Sequence, residues 1–257
     1  MCRVTVEICE RSGPLPIAFA HRGARAHARD NTLPAFERAL DLGSNGLESD
    51  AWITSDGVVV LDHDGRMGRW PRTRPLRSCR RRELPAHIPS LDELYQLCGS
   101  AYELSLDVKD TAAFDAIIRC AEAAGSAARL WLCHPDLEVL SGWRDRAGPA
   151  RLVHSSRIDT ILGYGERSTA GPATRARLGG YPLLARRLGV AAVNLRAPQW
   201  DAPALSEIHA AGMLALGWDA NAEPVIDRLL RLGIDGFYSD DPELAMRAVR
   251  SYRASGS

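Results

Sequence analysis

Residues 103–133 read ELSLDVKDTAAFDAIIRCAEAAGSAARLWLC. Glu103–Val108 has the length and apolar content of a buried strand. Thr111–Ala124 reads as a helix, and Arg129–Cys133 is strand-like again. The alternation then repeats to the C-terminus. Further strands are expected at Ala150–His154, Val190–Leu195, Met213–Trp218 and Gly236–Tyr238. Helices are expected at Leu137–Arg146, Pro182–Leu188, Ala202–Ala211, Pro224–Leu232 and Pro242–Tyr252. Strand–helix alternation implies a parallel sheet with helices outside it.

The pattern extends backwards. Leu15–Ala20 is the first candidate strand. Asn31–Leu42 reads as a helix with Asn31 or Thr32 as cap, Pro34 in its first turn and Gly43 as its stop. Gly46–Ile53 and Val58–His63 are strand-like around the turn signal Ser55-Asp56-Gly57. Leu91–Leu97 is a short helix behind Ser90. Some eight β/α units in 257 residues predict an α/β fold, a TIM (β/α)8 barrel, as one domain over residues 1–257. A doubly wound sheet usually carries G-x-G-x-x-G after its first strand, and Ala20-His21-Arg22-Gly23 does not match it. Two stretches break the rhythm. The Arg-rich residues Asp64–Pro89 are expected to form an inserted excursion over the barrel mouth. Gly163–Gly180, rich in Gly, Ser, Thr and Arg, is expected to be a flexible loop or lid.

Composition narrows the function. Thirty-two basic residues balance 32 acidic ones, so no broad positive footprint serves nucleic acid or an anionic membrane. The 46% hydrophobic and 25% charged content is that of an ordinary globular chain. No apolar run approaches the ~20 residues of a membrane helix, so no stable membrane insertion is expected. Arg3, Glu7, Glu10 and Arg11 interrupt the N-terminal stretch, which therefore lacks a secretory apolar core. The six cysteines form no C-x-x-C pair. Reduced thiols and a cytoplasmic location follow as expectations. The basic set is lopsided: Lys109 is its one lysine, all others being arginine. Charge balance cannot explain that split, because a lysine is a compact point charge and an arginine a planar fork.

In a barrel, catalytic side chains collect where strands end at the C-terminal mouth. The first strand ends in His21-Arg22. The second carries Glu48 and Asp50, an i, i+2 pair whose carboxylates share one face about 6.5–7 Å apart. The run after it ends in His63-Asp64, and the next strand carries Asp107 and Lys109. Hard oxygen ligands at this density suit one divalent cation, Mg2+ or Ca2+, better than zinc. His21 and His63 have the intrinsic pKa for acid and base work near neutrality. Arg22 and Lys109 beside a candidate metal suit an anionic group, above all phosphate. His134 and His154 fall at strand ends as further mouth residues. No H-x-H follows the first strand, and no G-x-S-x-G is present, which disfavours amidohydrolase and serine hydrolase readings.

These motifs carry a resemblance. The stretch AFAHRGARAHARDNTLPAFERALDLGSNGLESDAWITSDGVVVLDHDG, then ELPAHIPSLDEL, ELSLDVKD and the closing LALGWDANAEPVIDRLLRLGIDGFYSDDPELA resemble the glycerophosphodiester phosphodiesterase family, within the PLC-like phosphodiesterase superfamily. The resemblance covers nearly the whole chain and is weakest over residues 125–190. It implies a TIM barrel that hydrolyses small-molecule glycerophosphodiesters to glycerol 3-phosphate and an alcohol. By position, it implies His21 and His63 as the catalytic pair, and Arg22 and Lys109 as phosphate contacts. It further implies Trp218 near the alcohol, and Glu48, Asp50 and Asp107 as ligands of one divalent metal. His21 is read as base and His63 as acid. The nucleophile is either water or the substrate's own glycerol hydroxyl. Three positions depart from the family pattern. Asp30 and Asp107 stand where Glu is usual, and one methylene less shortens the reach of Asp107 to a metal. Asp219 stands where Thr is common, which bears on the choice of alcohol. Two rival readings are a lysophospholipase D or sphingomyelinase-D-like enzyme, which needs an apolar path under Asp64–Pro89, and a non-catalytic phosphate-ligand binding barrel.

Overall fold

The computed structural model describes residues 15–68, 72–164 and 178–255. Most of the expected loop Gly163–Gly180 lies outside the described residues. Eight parallel strands close a barrel: β1 (Ile17–Ala20), β2 (Gly46–Ile53), β6 (Glu103–Val108), β7 (Leu130–His134), β8 (Arg151–Ser155), β9 (Ala192–Arg196), β10 (Leu214–Trp218) and β11 (Gly236–Ser239). They pair in the order β1-β11-β10-β9-β8-β7-β6-β2, and β1 pairs with β2 to complete the circle. The expected TIM barrel is the observed fold.

Six of the eight barrel strands carry two apolar faces, and β2 and β6 turn polar side chains inward. Phe19, Trp131, Cys133, Val153, Ala192, Leu216 and Tyr238 point inward and form one buried cluster. Their sequence neighbours Ala18, Leu132, Leu152, Val193, Ala215 and Phe237 point outward into a second core under the helices. A period of two thus sorts each strand between the two layers. Phe19 stacks on Tyr238 at 4.8 Å between ring centroids, which plugs the barrel below its mouth.

The helices lie outside: α1 (Leu33–Asp41), α2 (Leu91–Cys98), α3 (Phe114–Ala123), α4 (Leu137–Trp143), α5 (Ile158–Tyr164), α6 (Tyr181–Arg187), α7 (Ala202–Ala210), α8 (Glu223–Leu232) and α9 (Pro242–Ser255). Ser90 caps α2 as expected. Its Oγ accepts from the Glu93 N–H at 3.2 Å, and Glu93 Oε2 accepts from the Ser90 N–H at 2.7 Å. This is a reciprocal capping box. α5 falls on no expected helix.

The excursion 64–89 differs from expectation. β3 (Val59–Leu61) folds back antiparallel on Ala51–Ile53 of β2. Beyond it, a two-strand hairpin of β4 (Arg66–Met67) and β5 (Arg74–Pro75) follows. Leu76, Cys79, Leu84 and Ile88 close over Val60 in a small buried core. Trp52 Nε1 donates to the Asp62 carbonyl at 2.8 Å and ties the chain just beyond β3 to β2. The excursion therefore flanks the mouth, and none of its described residues lines the central cavity. Cys79, Cys98, Cys120 and Cys133 form no disulfides. Among the described residues, no helix is long and apolar enough to cross a membrane.

Candidate active site

Strand ends converge on a cavity of ≈ 620 Å3, whose wall holds His21, Arg22, Glu48, Asp50, Asp107 and Lys109. The turn after β1 is tight. Arg22 (φ +54°) and Gly23 (φ +80°) are both left-handed. A Cβ on Gly23 would lie 2.8 Å from the carbonyl carbon of Ala35 on α1, so only glycine lets the turn sit on that helix. For Arg22 the same conformation costs about 1–2 kcal/mol. Two bonds hold it there. Its N–H donates to Glu48 Oε2 at 2.9 Å, and its carbonyl accepts from the Asn31 N–H at 3.0 Å.

Asn31 is left-handed too, at φ +52°. It is not a helix cap. Its Nδ2 donates to Asp50 Oδ2 at 3.3 Å, and its Oδ1 accepts from Ser49 Oγ at 2.7 Å. Thr32 takes the cap position, yet its hydroxyl donates backwards to the Arg29 carbonyl at 2.6 Å.

His21 is gripped on both sides. Its Nδ1 lies 2.6 Å from Asp240 Oδ1, and its Nε2 lies 3.9 Å from Glu48 Oε2. Burial pulls the His21 pKa down, but the Glu48 charge and the Asp240 hydrogen bond outweigh it and leave the pKa raised. Asp240 is held low, first by its hydrogen bond to His21. Asn221 braces Asp240: its Oδ1 accepts from the Asp240 N–H at 2.8 Å, and its Nδ2 donates to Asp240 Oδ2 at 3.2 Å.

The carboxylates form a crowded wall. Asp50 on β2 pairs in register with Asp107 on β6. Burial pushes the Glu48 pKa up to about 7; His21 and the Arg22 N–H oppose the rise, while Asp50 and Asp107 add to it. Lys109 bridges the other two, with Nζ 2.5 Å from Asp107 Oδ2 and 3.2 Å from Asp50 Oδ1. Burial lowers the Lys109 pKa, and the two carboxylates more than restore it. Arg22 donates to Asp30 at 3.3 Å. Its Nε is buried without a hydrogen-bond partner among the described residues, although Asp50 Oδ2 lies 3.5 Å away.

His63 does not join this group. It follows β3, which turns back along β2, and its side chain is 46% exposed beside Asp64 at 2.8 Å. It lines an adjoining cavity of ≈ 280 Å3 with Arg29, Asp30, Asp62 and His87. Arg22 belongs to both walls. Trp218 ends β10 and faces the central cavity. The Arg196 guanidinium lies 5.9 Å from its ring centroid and binds Asp219 at 2.7 Å. His134 and His154, expected at the mouth, line neither cavity. His154 is fully buried, with Tyr181 Oη at 2.6 Å from Nδ1 and the Pro135 carbonyl at 2.9 Å from Nε2. His134 Nδ1 accepts from the Asp136 N–H at 3.1 Å.

Glu48, Asp50 and Asp107 offer a hard cation an all-oxygen donor set. Among the described residues, no three His, Cys, Asp or Glu side chains are gathered closely enough to hold a metal ion. Lys109 already spans two of the carboxylates. The chemistry fits nonetheless: Glu48 is buried, and the like charges of Asp50 and Asp107 disfavour its ionisation, a penalty that a cation relieves.

Asp240 and Asn194 were not singled out as site residues from sequence. Asp240 stands in the quoted Ser239-Asp240-Asp241-Pro242 ending, one residue beyond β11, where a strand-end rule reaches it.

A (β/α)8 barrel with a His–Asp pair, clustered carboxylates and two cations at its C-terminal mouth carries them where barrel enzymes place their active sites. The model of the Glycerophosphoryl diester phosphodiesterase family matches residues 21–244, and the chain belongs to that family. A glycerophosphodiester phosphodiesterase of Caldanaerobacter subterraneus subsp. tengcongensis is 21% identical, over 91% of this chain and 98% of the relative. Two curated relatives match only over 51 and 55 residues, at 45% and 46% identity, so the match covers 21% and 9% of their lengths. A solved structure from Silicibacter pomeroyi superposes with a TM-score of 0.79 at 21% identity, covering 93% of this chain and 95% of that one. An Oleispira antarctica phosphodiesterase, solved with the product sn-glycerol-3-phosphate, has a TM-score of 0.71 at 19% identity, covering 92% and 97%. These structural likenesses establish the fold.

Proposed function

We propose that the chain hydrolyses glycerophosphodiesters to glycerol 3-phosphate and an alcohol, acting in the cytoplasm. The observation that carries this reading is the His21–Asp240 pair at 2.6 Å, set beside the carboxylates and cations of one cavity in a chain of this family. Asp240 accepts from the His21 Nδ1–H, which turns Nε2 into the cavity as the basic nitrogen. Nε2 takes the proton of the nucleophile, either water or the substrate's glycerol hydroxyl. Asp240 and Glu48 then stabilise the imidazolium. Arg22 and Lys109 hold the phosphoryl oxygens as charge builds on them. His63 protonates the leaving alkoxide. Its half-exposed ring lines the adjoining cavity, which shares Arg22 with the central one.

Glu48, Asp50 and Asp107 would hold one divalent cation, Mg2+ or Ca2+. When bound, such an ion supplies Lewis-acid stabilisation of a phosphoryl oxygen.

The test is a substrate panel read by phosphorus NMR, with and without a chelator. Release of glycerol 3-phosphate from glycerophosphodiesters, lost with chelator and restored by Mg2+ or Ca2+, is the expected result. Phosphodiester binding without product release would overturn the reading in favour of a non-catalytic barrel. The lysolipid reading finds little support. The expected acyl path under 64–89 is filled by Leu76, Cys79, Leu84 and Ile88. Equal turnover of lysophosphatidylcholine and glycerophosphocholine would revive it.

A further inference from the structure

The cavity wall opposite His21 has chemistry of its own. β8 and β9 stand across the barrel from β1 and β2 in the strand order. Asn194 on β9 pairs in register with Ser155 on β8. It shares the inward parity of Ala192, and it lines the central cavity. Its Nδ2 donates to Ser155 Oγ at 3.0 Å. Its Oδ1 is buried and has no hydrogen-bond partner among the described residues, in a residue that is only 5% exposed. A buried amide oxygen left without a donor costs about 1–3 kcal/mol. Ser155 Oγ accepts the Asn194 bond, which leaves its own O–H as a donor. The pair therefore offers one acceptor and one donor side by side, on the inner wall of a cavity.

We propose that Asn194 and Ser155 form a specificity subsite that binds a hydroxyl of the substrate. This rests on the proposed phosphodiesterase activity. A hydroxyl donates one bond and accepts another, which is the complement of this pair. A trimethylammonium group can do neither and needs open aromatic faces. Among the described residues, the Trp, Tyr and Phe side chains in the cavity wall are Trp218 and Tyr238. The face of Trp218 is already approached by the Arg196 guanidinium, and Tyr238 is stacked on Phe19. The carboxylates of Asp240 and Asp219 in the same wall are already paired with Arg25 and Arg196, at 3.5 and 2.7 Å. The wall thus favours an uncharged polyhydroxy group over choline. That group is either the glycerol half common to all glycerophosphodiesters or a polyol leaving alcohol.

The test needs no variant at first. Wild-type kcat/KM is compared for glycerophosphoglycerol, glycerophosphopropanol, glycerophosphocholine and an analogue of the second whose glycerol half is replaced by propanediol. Then N194L and S155A are assayed on the same set, with KM and kcat separated. Loss of the relevant substrate hydroxyl should lower wild-type kcat/KM roughly tenfold, chiefly through KM, the size of one neutral hydrogen bond. N194L should abolish that discrimination. If the penalty follows only the leaving alcohol, the subsite reads the alcohol. If it follows only the glycerol half, and N194L weakens every intact substrate alike, the subsite reads glycerol. Either outcome supports the proposal. Wild-type indifference to both deletions overturns it, as does a folded N194L that keeps the discrimination. Failure of the phosphodiesterase reading is distinct, because wild type would then turn over none of the panel.

Discussion

The two ends of the barrel both carry a cavity and a charged cluster, but only one has the chemistry of a site. The cavity at the N-terminal ends of the strands is the larger, ≈ 720 Å3 against ≈ 620 Å3 at the mouth. At the N-terminal end, Glu103 is fully answered. Trp131 Nε1 donates to it at 2.6 Å, and Arg151 and Arg129 lie at 3.3 and 3.6 Å. Arg151 also stacks 4.7 Å from the Trp131 ring centroid. At the mouth, Glu48, Asp50 and Asp107 crowd together, and burial among like charges lifts Glu48 to about 7. The non-glycine residues with left-handed backbone among those described are Arg22, Asn31 and Asp219. Arg22 and Asp219 line the mouth cavity, and Asn31 bonds to Asp50 in its wall. Cavity volume therefore does not locate the site. Unrelieved charge and backbone strain, which cost stability and persist only where the surroundings hold them, locate it.

The comparison breaks most sharply at His21. H21A should lower kcat by about 10³- to 10⁴-fold, the upper range for a general base, with thermal stability little changed. H63A should lower it by about 10²-fold or more. Near-wild-type turnover by H21A would remove the mouth's claim to catalysis. Near-wild-type turnover by H63A alone would confine catalysis to the central cavity and leave His63 as a rim residue.

D240N sharpens the same end. Asparagine keeps an acceptor for His21 Nδ1 but loses the charge that stabilises the imidazolium. The expected loss is about 10²-fold in kcat, the lower end of base catalysis, with KM and melting temperature nearly constant. A parallel rise in KM, or a fall in melting temperature that accounts for the loss, would make Asp240 a packing residue instead of a positioning one.

Much of this architecture was legible because it is periodic. β2 and β6 occupy their expected residues, Gly46–Ile53 and Glu103–Val108, since their outward faces (Leu47 and Ala51; Leu104, Leu106 and Val108) are apolar and turn residues bound both strands. α5 was not, because it runs into the Gly-rich segment that reads as loop. The site was legible where chemistry sits next to a strand end, as with His21, Glu48 and Asp107. It was not legible where partners meet across the closure of the barrel. Asp240 lies 219 residues from His21 in sequence, and only closure of β11 on β1 brings them together. His63 reads as a mouth residue, yet the antiparallel fold-back of β3 carries it to the flank. Asn31 reads as a helix cap, because nothing local shows that Asp50 and Ser49 compete for its amide.

Lys109 tests whether the mouth needs charge or shape. Its ammonium lies between Asp50 and Asp107, at 3.2 and 2.5 Å. K109R keeps the charge but replaces a compact point with a planar fork whose donors diverge. Kinetics should show roughly a tenfold or greater drop in kcat/KM, equivalent to about 1.4 kcal/mol. Wild-type activity in K109R would make the solitary lysine an accident of composition.

The smallest expected effect on turnover lies at the opposite end, where the cluster is read as structural. E103A removes the acceptor of the Trp131 indole N–H and leaves Arg129 and Arg151 without their shared carboxylate. Trp131 is 1% exposed, so its N–H has little access to water as a substitute. An orphaned buried donor costs about 1–3 kcal/mol, which should appear in denaturant or thermal unfolding. The kcat/KM of the folded enzyme should stay within about twofold of wild type, because the N-terminal face of such barrels serves stability and the mouth serves chemistry. Loss of activity in a stably folded E103A would mean that the division between the two ends is false, with Glu103 acting through the length of β6 on Asp107.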